Sequence, residues 1–165
     1  MEFKLSGLVK DVVTTLIIVG IVAGGGYALT GTWPFMVAVQ SGSMEPHLHK
    51  GDVVFLISPE KKGIVTYVEG KIINYKSFGD YGDVIVYRPN GDGSKTPIIH
   101  RAILYVEKGE KLGNYVAENS GYITKGDNNI MIDQPILSKP VKKEWIIGVA
   151  IFRIPYIGYF RLLFG

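Results

Sequence analysis

Apolar and polar positions alternate with different periods in different parts of the chain. Residues 12–29 form an uncharged run, VVTTLIIVGIVAGGGYAL, preceded by Lys4, Lys10 and Asp11. As a helix, that run reaches about the minimum length for crossing ~30 Å of hydrocarbon. It also fits a cleaved secretory leader, with residues 12–23 as the apolar stretch and the small residues 23–26 as a cleavage zone. On either reading the lysines precede the apolar run, so the positive-inside bias puts Met1 in the cytoplasm and the chain after Thr30 outside.

Beyond Thr30 the pattern changes to short apolar runs at 35–39, 53–57, 84–87, 98–106, 115–117 and 145–151, which predict strands. Between them stand Gly51-Asp52, Gly79-Asp80, Gly82-Asp83, Asn90-Gly91-Asp92-Gly93 and Gly126-Asp127-Asn128-Asn129. Glycine tolerates positive φ and Asx side chains bond nearby backbone, so these are turns. Residues 61–77 mix β-prone pieces (64–68 and 72–75) with charges, and a surface hairpin is expected there. In 145–165, Arg153, Pro155 and Arg161 interrupt the apolar run and Gly148 and Gly158 weaken a helix, which argues against a second membrane span. A core strand followed by an aromatic-rich segment fits better. That segment either lies at a lipid interface beside its arginines or packs onto the core. The resulting scheme is a cytoplasmic N-terminus (1–11), a transmembrane signal anchor (12–29), an extracytoplasmic β domain (30–153) and an apolar interfacial segment (154–165).

Composition narrows the chemistry. With 165 residues one core is the default, and 21 Gly in a chain rich in Val, Ile and Tyr favours many short strands. The absence of Cys removes disulfide scaffolds, thiolate metal sites and cysteine nucleophiles. A net charge of +3, without a run of five or more like charges, gives no nucleic-acid tract. His47, His49 and His100 lack metal-ligand spacing, and His47 and His49 read as solvated loop residues. No phosphate-cradling glycine loop occurs. No cofactor, metal or nucleic acid is therefore expected.

Gln40-Ser41-Gly42-Ser43-Met44-Glu45-Pro46 places two serines about a glycine at a strand end. A serine hydroxyl needs a base within hydrogen-bond reach and donors for the oxyanion formed on attack. His100 is the base candidate: two-residue periodicity in 98–106 puts it on the face of Ala102, Leu104 and Val106, and an imidazole suits proton transfer near neutral pH. Singly, each feature also fits a blander role, as a loop, a core histidine or a turn.

Taken together and in this order, the features resemble the type I signal peptidases, membrane-bound serine proteases that remove signal peptides from exported preproteins. The resemblance rests on the anchor, Ser41-Gly42-Ser43-Met44-Glu45-Pro46 with Gly51-Asp52, Gly82-Asp83-Val84-Ile85-Val86-Tyr87, Ile99-His100-Arg101, and Lys125-Gly126-Asp127-Asn128-Asn129 through Asp133. Bacterial members usually carry Lys where His100 stands, so the chain is similar to the archaeal and endoplasmic-reticulum branch. A histidine base needs a carboxylate to hold its tautomer and support its charge.

The resemblance implies Ser43 as nucleophile and His100 as general base. It implies Asp133 as the residue orienting His100, with Asp127 structuring the site or sharing that role. Ser41 would join the Ser43 N–H in the oxyanion hole. Met44 and Pro46 read as structural, with Met44 packing or touching lipid. The substrate is expected to lie extended against strand edges at Val39 and Gln40 and at Ile98 and Ile99. Signal-peptide-bearing preproteins and the lipid bilayer are the implied partners, and the protein translocation channel is a further one. The cell membrane is the implied location. The alternative class is a catalytically silent membrane-anchored β-domain subunit of a processing complex. A self-cleaving repressor peptidase of related fold would require Lys at position 100 and has no use for an anchor.

Overall fold

The computed structural model describes residues 2–157. The uncharged run lies within α1 (Glu2–Thr30), of which Gly7–Thr30 is long and apolar enough, by length and composition, to cross a membrane. Among the described residues it is the one helix of that kind. Its side chains from Leu8 to Leu29 stay largely exposed, so it is not a core helix of the domain. Only its end is tied down. The Ser58 N–H donates to the Thr30 carbonyl (2.8 Å), and the Lys61 ammonium donates to the carbonyls of Ala28 (2.8 Å) and Leu29 (3.0 Å). These bonds satisfy carbonyls that a helix C-terminus leaves unpaired. The Thr32 hydroxyl donates to the Ile147 carbonyl, and the Phe35 ring folds back so closely on Gly26 that a Cβ there would lie 2.5 Å from it.

The chain then runs through β1 (Met36–Ala38), β2 (Val53–Ile57), α2 (Pro59–Lys62), α3 (Tyr67–Ile73), β3 (Lys76–Ser77), β4 (Asp80–Tyr81) and β5 (Val84–Tyr87). It continues through β6 (Ile98–Val106), β7 (Lys111–Leu112), β8 (Tyr115–Val116), β9 (Gly121–Lys125) and β10 (Ile146–Ile154). Six strands make one antiparallel sheet in the order β1-β2-β10-β5-β6-β9, so the fold is mainly β, as the alternation predicts. The pairs β3–β4 and β7–β8 form separate ribbons. Strand β5 is buried throughout: Val84 and Val86 enter one apolar cluster with Met44, Leu48, Val54 and Leu56, while Ile85 and Tyr87 enter another with Ala102 and Val149. That division follows the two-residue period of a strand covered on both faces. Met44 is fully buried, so of its two expected roles it packs.

The expected hairpin at 61–77 is corrected. Its first part forms α2 and α3, and only Lys76–Ser77 is strand. Helix α3 starts at a capping box: the Thr66 hydroxyl accepts from the Glu69 N–H, and the Glu69 carboxylate accepts from the Thr66 N–H (2.8 Å). Ser58 caps α2 with Pro59 in its first turn. Local capping thus outweighs the β preference of Ile72 and Ile73, while Ile64 and Val65 lie in the connection between the two helices. The segment is held to the sheet by Asp83, a fully buried carboxylate that accepts from Lys62 (2.8 Å), the Val65 N–H (2.9 Å) and the Tyr75 hydroxyl (2.8 Å). Strand β9 is an addition to the predicted set. At the C-terminal end β10 reaches Ile154, Tyr156 and Ile157 are exposed, and residues 158–165 of the expected interfacial segment lie outside the described residues.

Candidate active site

Ser43 sits in the series of turns that leads from β1 to β2, and His100 is the third residue of β6, paired with Ile85 of β5. Strand periodicity turns His100 inward as expected, and it is 4% exposed. Its Nε2 lies 3.0 Å from the Ser43 Oγ and its Nδ1 lies 2.6 Å from the Asp133 Oδ2. A carboxylate can only accept, so Nδ1 carries the proton and the Nε2 lone pair is free to accept from the serine hydroxyl. Asp133 is buried, and its Oδ2 also accepts from the Tyr87 hydroxyl (2.9 Å) and the Thr124 hydroxyl (2.6 Å). Its Oδ1 has no hydrogen-bond partner, so every donor converges on the oxygen that faces the imidazole. Burial, then the Asp133 charge, push the Tyr87 phenol far above its ordinary pKa, which keeps it a donor.

The Ser41 Oγ lies 3.1 Å from the Ser43 Oγ. The chain bends at Ser41 and Gly42 rather than running extended, and the two hydroxyls still meet. Among the described residues nothing accepts from the Ser43 N–H. Its neighbouring carbonyls are both taken: Ser43 O accepts from the Asn128 N–H (2.9 Å), and Gly42 O accepts from the Glu45 N–H (3.1 Å) and from the Asn128 side-chain amide (3.1 Å). The turn at 126–129 therefore lies directly against the serine-bearing turn. A Cβ on Gly126 would stand 2.6 Å from Ser43 O, so only glycine permits this approach.

Asp127 turns away from His100. Its carboxylate pairs in two-pronged fashion with Arg101, Nε to Oδ1 at 2.8 Å and Nη2 to Oδ2 at 2.7 Å, and accepts from His47 Nδ1 at 2.8 Å. Arg101 is 1% exposed, and its remaining donors reach the carbonyls of Ser77 (2.9 Å) and Gly82 (2.8 Å). This corrects the reading of His47 as solvated: it is part-buried and grips Asp127 from the serine-bearing turn. His49 is likewise held, with its N–H donating to Asp52 (3.0 Å) and its ring 3.3 Å from Arg153. Asp52 is fully buried and accepts from Arg153 at 2.7 Å. Burial alone would raise its pKa, but the His49 N–H, the Arg153 hydrogen bond and the Tyr156 N–H outweigh that and hold it below the ordinary carboxylate value.

The proposed substrate edges separate into usable and occupied positions. Val39 donates to Asp52 O and accepts from Gly51 N, and its side chain is 1% exposed, so neither its backbone nor its side chain faces outward. In antiparallel pairing successive residues point their main-chain groups to opposite sides, so Ala38 and Gln40 face the open edge of β1. On β6 the Ala102 N–H bonds Asp83 O, which turns the backbone of Ile98 toward β5. Ile99 therefore points the other way, where pairing with β9 has stopped at Arg101. Both edges belong to the strands that carry or precede the Ser43–His100 contact. Among the described residues no cluster of His and carboxylates has the arrangement to hold a metal ion.

Tyr87, Thr124 and Arg101 enter the site without having been singled out by sequence, and His47 and Asn128 enter it in roles other than a solvated loop residue and a turn. Tyr87, Arg101 and Asn128 stood within quoted motifs, but nothing in their spacing signals contact with Asp133, Asp127 or the Gly42 carbonyl.

A buried carboxylate, an imidazole and a serine hydroxyl joined in one hydrogen-bonded line on an antiparallel sheet have the build of a serine hydrolase site. The signal peptidase complex catalytic subunit SEC11 of Candida tropicalis is 32% identical over 132 residues, covering 78% of this chain and 64% of that protein. The SEC11 subunit of Schizophyllum commune is 32% identical over 146 residues (79% of this chain, 65% of that protein). That of Lachancea thermotolerans is 33% identical over 134 residues (77% and 64%). These likenesses to signal peptidase complex catalytic subunits accord with the type I signal peptidase resemblance that the chain's motifs carry. The chain spans a little under two thirds of the length of the curated relatives it matches. No family model matches it.

Proposed function

We propose that this chain is a membrane-anchored serine endopeptidase that cleaves N-terminal signal peptides from preproteins. The observation that carries the proposal is the Ser43–His100–Asp133 line, at 3.0 Å and 2.6 Å. In the reaction His100 Nε2 takes the Ser43 proton as Oγ bonds to the scissile carbonyl carbon. The oxyanion is received by the Ser43 N–H and the Ser41 hydroxyl, and the imidazolium is supported by Asp133. The C–N bond then breaks, His100 gives its proton to the leaving amine, and Ser43 is left as an ester. Water, deprotonated by His100, attacks that ester, and the proton returns to Ser43.

The preprotein segment would add its main chain to the open edges at Ala38 and Gln40 and at Ile99. Helix α1 would serve as an uncleaved anchor, with residues 1–11 in the cytoplasm, 30–153 outside and 154–165 at the lipid interface. Its helical continuity through 23–26 and the packing of the Phe35 ring on Gly26 support an anchor over a leader, because the stretch a leader peptidase would have to cut is itself helical and partly covered. The relatives' name supports work within a complex, and the translocation channel is a further candidate partner.

The test is cleavage of a fluorogenic signal-peptide substrate in detergent by the wild-type chain, Ser43→Ala and His100→Ala. Cleavage after a small residue, lost in both variants, is the expected result. Equal cleavage by all three would overturn the site. Inactivity of the wild type together with added SEC11-type partner subunits would favour a silent subunit.

A further inference from the structure

We infer that Asn128 is a positioning residue for the oxyanion hole, an inference that rests on the serine-endopeptidase reading above. A peptide unit is planar and trans, so the carbonyl of one residue and the N–H of the next point in opposite directions. Fixing the Gly42 carbonyl therefore fixes the direction of the Ser43 N–H. The Gly42 carbonyl is held from two sides: by the Glu45 N–H inside the same turn (3.1 Å), and by the Asn128 side-chain amide from a different part of the chain (3.1 Å). Asn128 also donates its own N–H to Ser43 O (2.9 Å), which secures the peptide unit on the other side of the serine. The N–H between these clamped carbonyls is the one that has no acceptor among the described residues, and it belongs to the same residue as the Oγ poised on His100.

The clamp is itself braced. Asp127, next to Asn128, is locked between Arg101 and His47, and Gly126 brings the turn into contact with Ser43 O. Asn128 is exposed, so its side chain is not needed for the core. An exposed amide spent on a single carbonyl beside the nucleophile is most readily explained by orientation. An oxyanion donor must aim at a position occupied only in the transition state, and such aim has to be set beforehand.

The inference predicts that Asn128→Ala and the isosteric Asn128→Asp, which replaces the donor by an acceptor, lower kcat by about 10- to 100-fold with KM little changed. That is smaller than the about 10²- to 10³-fold that follows outright loss of an oxyanion donor. A peptide aldehyde, which forms a tetrahedral adduct with Ser43, should lose affinity by the same factor, while a non-cleavable reduced-amide peptide should bind as to wild type. A merely structural role for Asn128 would move both ligands together and would lower the thermal midpoint, which is expected to stay unchanged. The experiment compares wild type, Ser43→Ala, Asn128→Ala and Asn128→Asp in detergent. Cleavage that is lost in Ser43→Ala but within twofold of wild type in both Asn128 variants would overturn the role of Asn128 and leave the peptidase standing. Cleavage that survives in Ser43→Ala, or is absent from wild type even with the partner subunits added, would overturn the peptidase reading and this inference with it.

Discussion

Asp127 and Asp133 lie six positions apart, and the sequence offered both as partners for His100; their surroundings give them different consequences when altered. Asp133→Asn keeps the shape but sets an amide against Nδ1, so the imidazole loses the acceptor that holds its tautomer. Turnover is expected to fall by about 10³- to 10⁴-fold with folding retained, read as kcat beside an unchanged thermal midpoint. Asp127→Asn instead leaves the buried Arg101 guanidinium without its countercharge. Breaking a buried pair from one side costs about 3–5 kcal/mol, so this variant should show its defect first in chemical denaturation. Asp52 supplies a pH dependence. Its folded pKa lies below the ordinary value, so its stabilising contribution is complete above about pH 4 and is lost as pH falls through the folded pKa. The stability gap between wild type and Asp52→Asn, measured as thermal midpoints, is therefore expected to close below about pH 4. A gap that stays constant from pH 7 to pH 3 would refute this.

Strands β2, β5 and β6 occupy the spans that their apolar runs announce, 53–57, 84–87 and 98–106. They are central, and burial on one or both faces writes itself directly into side-chain order. The 59–73 stretch misleads because propensity and capping disagree there, and a Thr-x-x-Glu box at Thr66 decides it. Thr66→Ala should cost about 1 kcal/mol in thermal or chemical unfolding, through loss of the hydroxyl that accepts from Glu69 N. Strand β9 is harder to read, since Gly121-Tyr122-Ile123-Thr124-Lys125 mixes a glycine, a charge and two hydroxyls among its apolar positions. One of those hydroxyls, on Thr124, turns out to be bonded to Asp133. Ser43 and His100, which the structure brings within 3.0 Å, could be singled out beforehand because strand ends and strand faces are local properties. The Arg101–Asp127–His47 brace was not, because its members come from segments whose meeting depends on the finished sheet.

At the scale of the whole molecule, the order of strands in space departs from their order in the chain. Strand β10, the last of the sheet to be reached along the sequence, lies between β2 and β5. Ser43 belongs to the β1–β2 side of that division, and His100 belongs to the β5–β6 side. Strand β10 pairs with both neighbours, with β2 from Val149 opposite Ile57 and with β5 from Ile146 opposite Tyr87, and its Arg153 reaches Asp52 just past the serine turn. A chain stopped after residue 145 is accordingly expected to show no cleavage and no cooperative unfolding, even though it contains every side chain of the proposed machinery. Cleavage by that fragment at the wild-type rate would refute the argument. On the proposed function, this interleaving would make the growing polypeptide its own safety catch: until β10 has been synthesised and has slid in between β2 and β5, Ser43 and His100 would sit in unjoined halves and nothing could be cut.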